Sequence, residues 1–356
     1  MKFPFFCNRM FSVLLQTTLG ECVCGIRIAD WVSMTNSAVA LRVGMKNENY
    51  IENALNLKKF SDYLDFPLFF EIETVNACNA VCTMCTINKW QKHRNPYMSP
   101  QLFKKISDEL IQYSTVVRTV NLGRDGEPLL DKHLEKKIGY LKEGGIKNVT
   151  FSTNAALLSE KRSKELLNSG LDEIMFSVDG YSRITFEKIR RGLCFKKIVE
   201  NVHRFIDLRN SQNEHLKIRV RMVVQQENKD EIEPWGKYWR GKLKPKDSVE
   251  AKNIHSWGNQ LENYQVLKQE EKLLTPCTSP FSTMIIRFNG DITICPLDFN
   301  GKYVNGNVQQ DTIQTIWGKG GYFKKFRQIH LYSKRDELYF CKGCRLWEPD
   351  KTKRVF

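Results

Sequence analysis

The chain has 356 residues, 41% hydrophobic and 27% charged, a globular balance with room for one barrel-sized domain and a smaller module. Lys and Arg number 55 against 40 Asp and Glu, and the net charge of +15 favours anionic partners. No stretch approaches the roughly 20 apolar residues that span a bilayer. The basic residues fall in scattered pairs (Lys104-Lys105, Lys136-Lys137, Arg190-Arg191) with no zinc-finger, RNP or helix-turn-helix pattern, so neither a membrane-spanning protein nor a nucleic-acid binder is expected.

Residues 1–65 carry Cys7, Cys22 and Cys24 and little periodicity, and read as an extension of unclear structure. The opening apolar run is broken by Asn8 and Arg9, and no clean small-residue cleavage site follows, so a reducing cytoplasm is the expected location. From Pro67 the pattern changes. Leu68–Glu73 reads as a strand, and Ser99-Pro100 opens a helix as N-cap and first helical residue. Strand Arg118–Leu122 follows, then a helix over Asp131–Glu143 closed by Gly144-Gly145. Next come strand Val149–Ser152, a helix near Ser159–Asn168 stopped by Gly170, and strand Glu173–Val178. Two further helical runs lead to strand Leu216–Val224, and a weaker strand lies near Val249–Ile254. Short apolar strands alternating with helices mean βαβ units on a parallel sheet. About six units fit, fewer than the eight of a closed barrel. The fold class is therefore α/β: a partial (β/α)6 parallel barrel over 66–265, followed by a small cysteine-rich α+β module over 266–356. In the module, Met284–Phe288 and Asp291–Cys295 read as a hairpin turned at Asn289-Gly290, with helices over Asp311–Trp317 and Tyr322–Ile329. Trp317, Phe323 and Phe326 are its expected core.

In such sheets reactive residues sit on loops after the strands' carboxyl ends. Cys78, Cys82 and Cys85 stand on the first such loop, in a C-x3-C-x2-C spacing. Zinc sites instead pair their ligands as C-x2-C with a distant second pair. Three thiolates converging on a four-iron cube leave one iron without a local protein ligand, since the next cysteine is Cys194. An open position makes a metal reactive rather than structural.

At this point residues 66–260 resemble the radical S-adenosylmethionine (radical SAM) superfamily. The resemblance implies a catalytic [4Fe-4S] cluster on Cys78, Cys82 and Cys85, with S-adenosylmethionine chelating the open iron. Reductive cleavage of that cofactor would yield a 5′-deoxyadenosyl radical that abstracts hydrogen from substrate. The family usually has an aromatic residue before the last cysteine; here it is Met84. Gly126-Glu127-Pro128 is similar to the family's Gly-Gly-Glu-Pro segment, with Asp125 in place of the first glycine. Ser152-Thr153-Asn154 and Ser177-Val178-Asp179-Gly180 end the third and fourth strands. The resemblance makes Gly126, Glu127, Asn154, Ser177 and Asp179 the expected cofactor-binding residues; helix caps and turns are the plainer reading of Asn154 and Asp179. Arg190 and Arg191 offer a cation for the cofactor carboxylate or are a solvated pair.

Cys277, Cys295, Cys341 and Cys344 form a second group, with Gly290 five residues before Cys295. Spacing alone leaves tetrahedral zinc and a fully ligated cluster open. The pattern resembles the front of the SPASM module, and with no cysteine after Cys344 it is similar to the shortened twitch form, which implies a second, auxiliary [4Fe-4S] cluster on four cysteines. A fully ligated cluster transfers electrons, which implies a net oxidation. Expected is dehydrogenation of a carbohydrate or cyclitol-like small molecule, phosphorylated or nucleotide-linked to suit the basic charge, with a reducing electron donor such as flavodoxin or ferredoxin. The alternative is a peptide- or protein-modifying SPASM-type maturase, for which residues 1–65 offer no helix–helix–hairpin pattern. No catalytic base stands out. Arg219, Arg221, Gln225 and His255 read as structural or solvated, His203 and His215 as surface residues, and Cys194 as a small buried hydrophobe.

Overall fold

The computed structural model describes residues 38–87, 94–212, 215–260, 275–318, 320–342, 344 and 353–355. Cys7, Cys22, Cys24 and the expected boundary near residue 265 lie outside them. The chain divides into two units, Met1–Lys46 and Asn47–Phe356. The described part of the first is the opening of helix α1 (Ala38–Leu55). The sequence reading assigned no helix there: its apolar residues are diluted by Gly44 and by Asn47, Asn49 and Asn53, poor helix formers. Within the second unit Ile51 and Leu55 nonetheless bury against Leu68 and Phe281. Among the described residues no helix is long and apolar enough to cross a membrane.

Six strands lie side by side in chain order, all parallel: β1 (Phe69–Ile72), β2 (Thr119–Asn121), β3 (Val149–Thr153), β4 (Glu173–Ser177), β5 (Lys217–Val224) and β6 (Ser248–Asn253). The helices between them are α2 (Pro100–Gln112), α3 (Leu134–Glu143), α4 (Glu160–Leu167), α5 (Arg183–Ile189), α6 (Phe195–Gln212) and α7 (Ile232–Arg240). This is the expected α/β partial barrel. Ser99 and Ser159 cap α2 and α4, their side chains accepting from Leu102 N and Arg162 N at 3.2 Å. Helix α7 is not among the expected elements; its Pro234 falls in the first turn, where a missing N–H does no harm.

Strand side chains alternate between faces. Phe70, Ile72, Val120, Phe151, Ile174, Phe176, Ile218, Val220 and Met222 are buried in the core with the helices. The other face carries Glu71, Asn121, Ser152, Ser177, Arg219, Arg221 and Glu250, so the concave side of the barrel is polar.

The C-terminal part contains α8 (Ser279–Ser282), β7 (Thr283–Ile286), β8 (Asp291–Thr293), β9 (Val304–Asn307), α9 (Ile313–Gly318) and α10 (Gly321–Leu331). Gly290 turns the β7–β8 hairpin at φ +88°, in the left-handed region that favours glycine. Trp317, Phe323 and Phe326 are buried, as expected. The module was read as separate, but its hairpin continues the barrel's own sheet: β7 pairs in parallel with β1, Phe69 opposite Thr283 through Ile72 opposite Ile286. All four β7 residues are buried, the mark of a strand covered on both faces. A last strand, β10 (Lys353–Val355), runs antiparallel to β6 at the far edge. Cys194, expected to be buried, is exposed, because it follows the turn at Gly192 (φ +87°).

Candidate active site

The loop after β1 carries Cys78, Cys82 and Cys85, all free thiols. Backbone contacts with two later loops hold it in shape. Val81 N and Thr83 N donate to the carbonyls of Arg191 and Ile189 at 2.8 and 2.9 Å. From the loop after β2, Glu127 N donates to Ala77 O at 2.8 Å. Gly126 lies so close that a Cβ there would sit 2.1 Å from Val75 O and 2.7 Å from Ala77 O. That contact is the physical reason for glycine at this position.

Glu127 is 3% exposed, and its carboxylate binds loops together. It accepts from Thr153 Oγ1 at 2.6 Å, Leu129 N at 3.1 Å and Asn154 N at 2.8 Å. Burial raises its pKa, opposed by those hydrogen bonds. Asn154 in turn reaches the cluster loop: its Nδ2 donates to Asn79 Oδ1 at 2.9 Å and stands 4.0 Å from Cys78 Sγ. Asp179 is fully buried, with its oxygens already engaged. Oδ1 accepts from Val223 N at 2.7 Å, and Oδ2 accepts from Arg190 Nε at 2.7 Å. Arg190 Nη1 lies 4.0 Å from Cys82 Sγ, so the charge that Asp179 positions is aimed at the thiols. Ser177 ends β4 directly opposite Arg221 of β5, which is itself opposite Glu250 of β6. The geometry thus gathers Gly126, Glu127 and Asn154 around the Cys78–Cys85 loop, reaches it from Asp179 through Arg190, and puts Ser177 on the polar barrel wall.

Burial pushes the Cys78 thiol up to about 11 and Cys85 to about 12. The thiolates therefore need a cationic group to form, and metal binding would release their protons. Among the described residues no three His, Cys, Asp or Glu side chains converge tightly enough to hold a single metal ion. In a four-iron cube each thiolate takes its own corner. Three cysteines near each other, a guanidinium on one side and a glycine-tight backbone behind are a donor set suited to such a cube with one corner left for a ligand.

The second group is assembled in the C-terminal module. Cys277 precedes α8, Cys295 follows the β7–β8 hairpin, and Cys341 and Cys344 form a turn closed by Cys344 N donating to Cys341 O at 3.1 Å. Burial raises Cys277, Cys295 and Cys341, the first to about 12. The charges of Cys344, Cys341 and Cys277 each bear on Cys295, so the four lie together. Two residues unremarked in the sequence complete the site. His330, 1% exposed, accepts from Cys277 N at Nδ1 (3.0 Å) and faces Cys341 Sγ with Nε2 (3.7 Å). Arg335, 4% exposed, donates to Thr275 O at 2.9 Å and to Cys344 O. Their only sequence signal was their nearness to Cys341, which also fits an ordinary helix end.

Hydrogen bonds that are partly buried link the loops carrying the two groups. Arg124 donates to Asp125 at 3.0 Å, Glu71 at 3.4 Å, and the carbonyls of Pro296 and Asp298, both at 3.1 Å, just past Cys295. Asp125, the residue that departs from the family's glycine, is thus the partner of this clamp. On the other side, Trp257 Nε1 donates to Met84 O at 3.3 Å, and Gln260 Nε2 donates to Leu297 O at 3.0 Å. His255, half-buried, is held down to about 4 by desolvation and then by Lys252, and accepts from Trp257 N at 3.2 Å. Arg219 and Arg221 are ion-paired on the barrel wall, with Glu173 at 2.8 Å and Glu250 at 3.0 Å respectively. A groove of about 640 Å³ between α2 and α3, lined by Phe103, Leu130 and Tyr140, lies on the outer wall and includes none of these residues.

Comparison with known proteins agrees with this arrangement. Residues 72–235 match the Radical SAM superfamily and residues 277–345 match SPASM, an iron–sulfur cluster-binding domain. The chain is 23% identical over 276 residues to the S-adenosyl-L-methionine-dependent 2-deoxy-scyllo-inosamine dehydrogenase of Niallia circulans, covering 77% of this chain and 91% of that one. It is 27% identical over 139 residues to a probable GTP 3′,8-cyclase of Methanococcus maripaludis, but spans only 46% of that protein. Among solved structures, BtrN in complex with AdoMet and 2-DOIA superposes with a TM-score of 0.56 at 21% identity, over 79% of this chain and 93% of that one. Streptococcus suis SuiB bound to precursor peptide SuiA gives 0.59 at 16% identity, over 78% and 71%. These two likenesses establish the fold.

Proposed function

From a chain whose residues 72–235 belong to the radical SAM superfamily and whose residues 277–345 form an SPASM-type iron–sulfur domain, we propose an oxidoreductase that dehydrogenates a polar, hydroxyl-rich small molecule of the sugar or cyclitol kind. When bound, S-adenosylmethionine and a first cluster on Cys78, Cys82 and Cys85 supply a radical that takes one hydrogen atom from the alcohol carbon, and a second cluster on Cys277, Cys295, Cys341 and Cys344 supplies an acceptor for the remaining electron. The hydroxyl proton leaves to solvent, so an alcohol becomes a ketone.

The observation that carries the oxidative reading is the second thiol group: four cysteines set together in a module whose hairpin is hydrogen-bonded to β1, the strand that leads into the first site. The polar barrel wall supports the substrate class. Among the described residues Arg219 Nε, Arg221 Nε and Asn121 Oδ1 are buried there without a hydrogen-bond partner. Buried polar atoms left unpaired call for a polar ligand. The chain's own residues then have distinct roles. Gly126, Glu127 and Asn154 shape the cofactor loop, Asp179 holds Arg190 toward the thiols, and Ser177, Arg221 and Glu250 face the substrate space. Similarity along nearly all of an inosamine dehydrogenase points the same way.

The test is anaerobic reconstitution with iron and sulfide counted per chain. Two four-iron clusters give about eight irons, falling to about four in a Cys78→Ala/Cys82→Ala/Cys85→Ala protein. Cofactor cleavage with a panel of aminocyclitols and sugars should yield 5′-deoxyadenosine and a product lighter by two hydrogens. A chain that holds zinc in the second group would sink the oxidative reading. Turnover of a peptide rather than any polyol would favour the maturase alternative.

A further inference from the structure

We infer that His330 and Arg335 are positioning residues that raise the reduction potential of the second cluster, making it an electron acceptor; this rests on the proposed oxidative function. Both are outside the cysteine pattern, and both are more than nine-tenths buried.

The geometry of His330 fixes its proton. Nδ1 accepts the Cys277 N–H at 3.0 Å, so the neutral ring carries hydrogen on Nε2, the atom facing Cys341 Sγ at 3.7 Å. The ring is buried at the side of α10. One imidazole thus ties the chain at one cysteine to the sulfur of another, and donates to that sulfur. Hydrogen bonds to cluster sulfurs stabilise the more negative, reduced state.

Arg335 adds charge. Its guanidinium is held by the carbonyls of Thr275 and Cys344, which bracket the group from two sides, and its Nε has no partner. Among the described residues no carboxylate lies within ion-pair distance of it. A buried cation without an anion is strongly unfavourable. Four thiolates on an iron cube carry net negative charge and supply the missing partner. A fixed positive charge there favours adding an electron to the cluster.

The electron count closes. The alcohol-derived radical would give up one electron and one proton to become the ketone, the second cluster supplying the first acceptor for that electron and a carrier of the flavodoxin or ferredoxin kind its exit. S-adenosylmethionine, consumed as methionine and 5′-deoxyadenosine, is the two-electron oxidant of the balance.

The experiment is a spectroelectrochemical titration of both clusters in the reconstituted full chain, with low-temperature EPR, for the wild type, His330→Phe, His330→Gln and Arg335→Gln. His330→Phe and Arg335→Gln should each lower the second cluster's reduction equilibrium at least tenfold, about 59 mV for one electron. The first cluster should stay in place as an internal reference. His330→Gln keeps an N–H at the ε position and should recover most of the loss. Should His330→Phe shed its second cluster, Arg335→Gln carries the test, since it leaves the Cys277 and Cys341 contacts intact. An unchanged second potential with about eight irons retained overturns the inference and leaves the oxidative reading standing. A wild-type protein with about four irons fails the oxidative reading itself.

Discussion

Replacing Arg124 by Gln tests the clamp between the two sites. The Arg124 side chain is 2% exposed, and that of Asp125 is 3% exposed. Burial works against the Arg124 charge, but Asp125, Glu71 and Glu73 outweigh it and hold its pKa above the usual value. Removing one partner of a buried ion pair costs about 3–5 kcal/mol, because it strands the other charges. At roughly 2–4 °C per kcal/mol, the melting temperature should fall by about 10 °C. The loss should depend on pH in a stated direction. Burial already raises Glu71 and Asp125, and Glu73 stands at about 7. Without the guanidinium these carboxyls protonate more readily, and a neutral carboxyl does not need it. The gap between wild type and variant should therefore narrow as pH falls from about 7.5 to about 5.5. Anaerobic urea titrations of metal-free protein at both pH values measure it. A loss below about 1 kcal/mol at the higher pH, or a gap that does not narrow, would refute the reasoning.

Glu73→Gln should flatten the pH dependence of stability. Burial, then Asp125, raise Glu73 from 4.5 to about 7, so the folded state holds its proton where the unfolded chain has lost it. Its contribution is full below about 4.5 and is lost as pH rises through about 7; urea midpoints across that window should decline less in the variant. Gly126→Ala puts a methyl against the Val75 and Ala77 carbonyls, and should remove about four irons per chain while sparing the rest, read by iron assay. Arg190→Gln strands the fully buried Asp179 and should cost about 3–5 kcal/mol in urea unfolding. Adding Asp179→Asn should recover part of that loss, and strict additivity would mean the two are not coupled.

How much was legible in the sequence followed from which signals are local. The six barrel strands, the Ser99 cap, the Asn289-Gly290 turn and the Cys78–Cys85 triplet each show within a dozen residues, and each recurs in the structure. What failed was long-range. β7 and β1 are separated by about two hundred residues, and nothing near Thr283 announces a parallel partner. The resemblance implies a cofactor role for Asp179; that its oxygens accept from Val223 and Arg190 is set by tertiary contact and has no local signal. His330 was invisible because a histidine in an amphipathic helix is ordinary; its role comes only from the two cysteines folded onto it.

The two sites differ in one electrostatic respect that bears on direction. Beside the first, Arg190 is bound to Asp179 at 2.7 Å, so its charge is largely compensated. Beside the second, Arg335 donates among the described residues to the carbonyls of Thr275 and Cys344, and His330 adds a donor. A bare buried cation favours added negative charge more than a neutralised one does. Under the proposed function the second cluster would thereby be the easier of the two to reduce, and an electron released between the two sites would run downhill toward Cys277, Cys295, Cys341 and Cys344. The same difference explains why the two groups need not share an environment although they share a sheet. On the proposed reading the first would hold a strongly reducing cluster with a corner open for the cofactor, whereas the second would only receive, its fourth cysteine closing it to substrate.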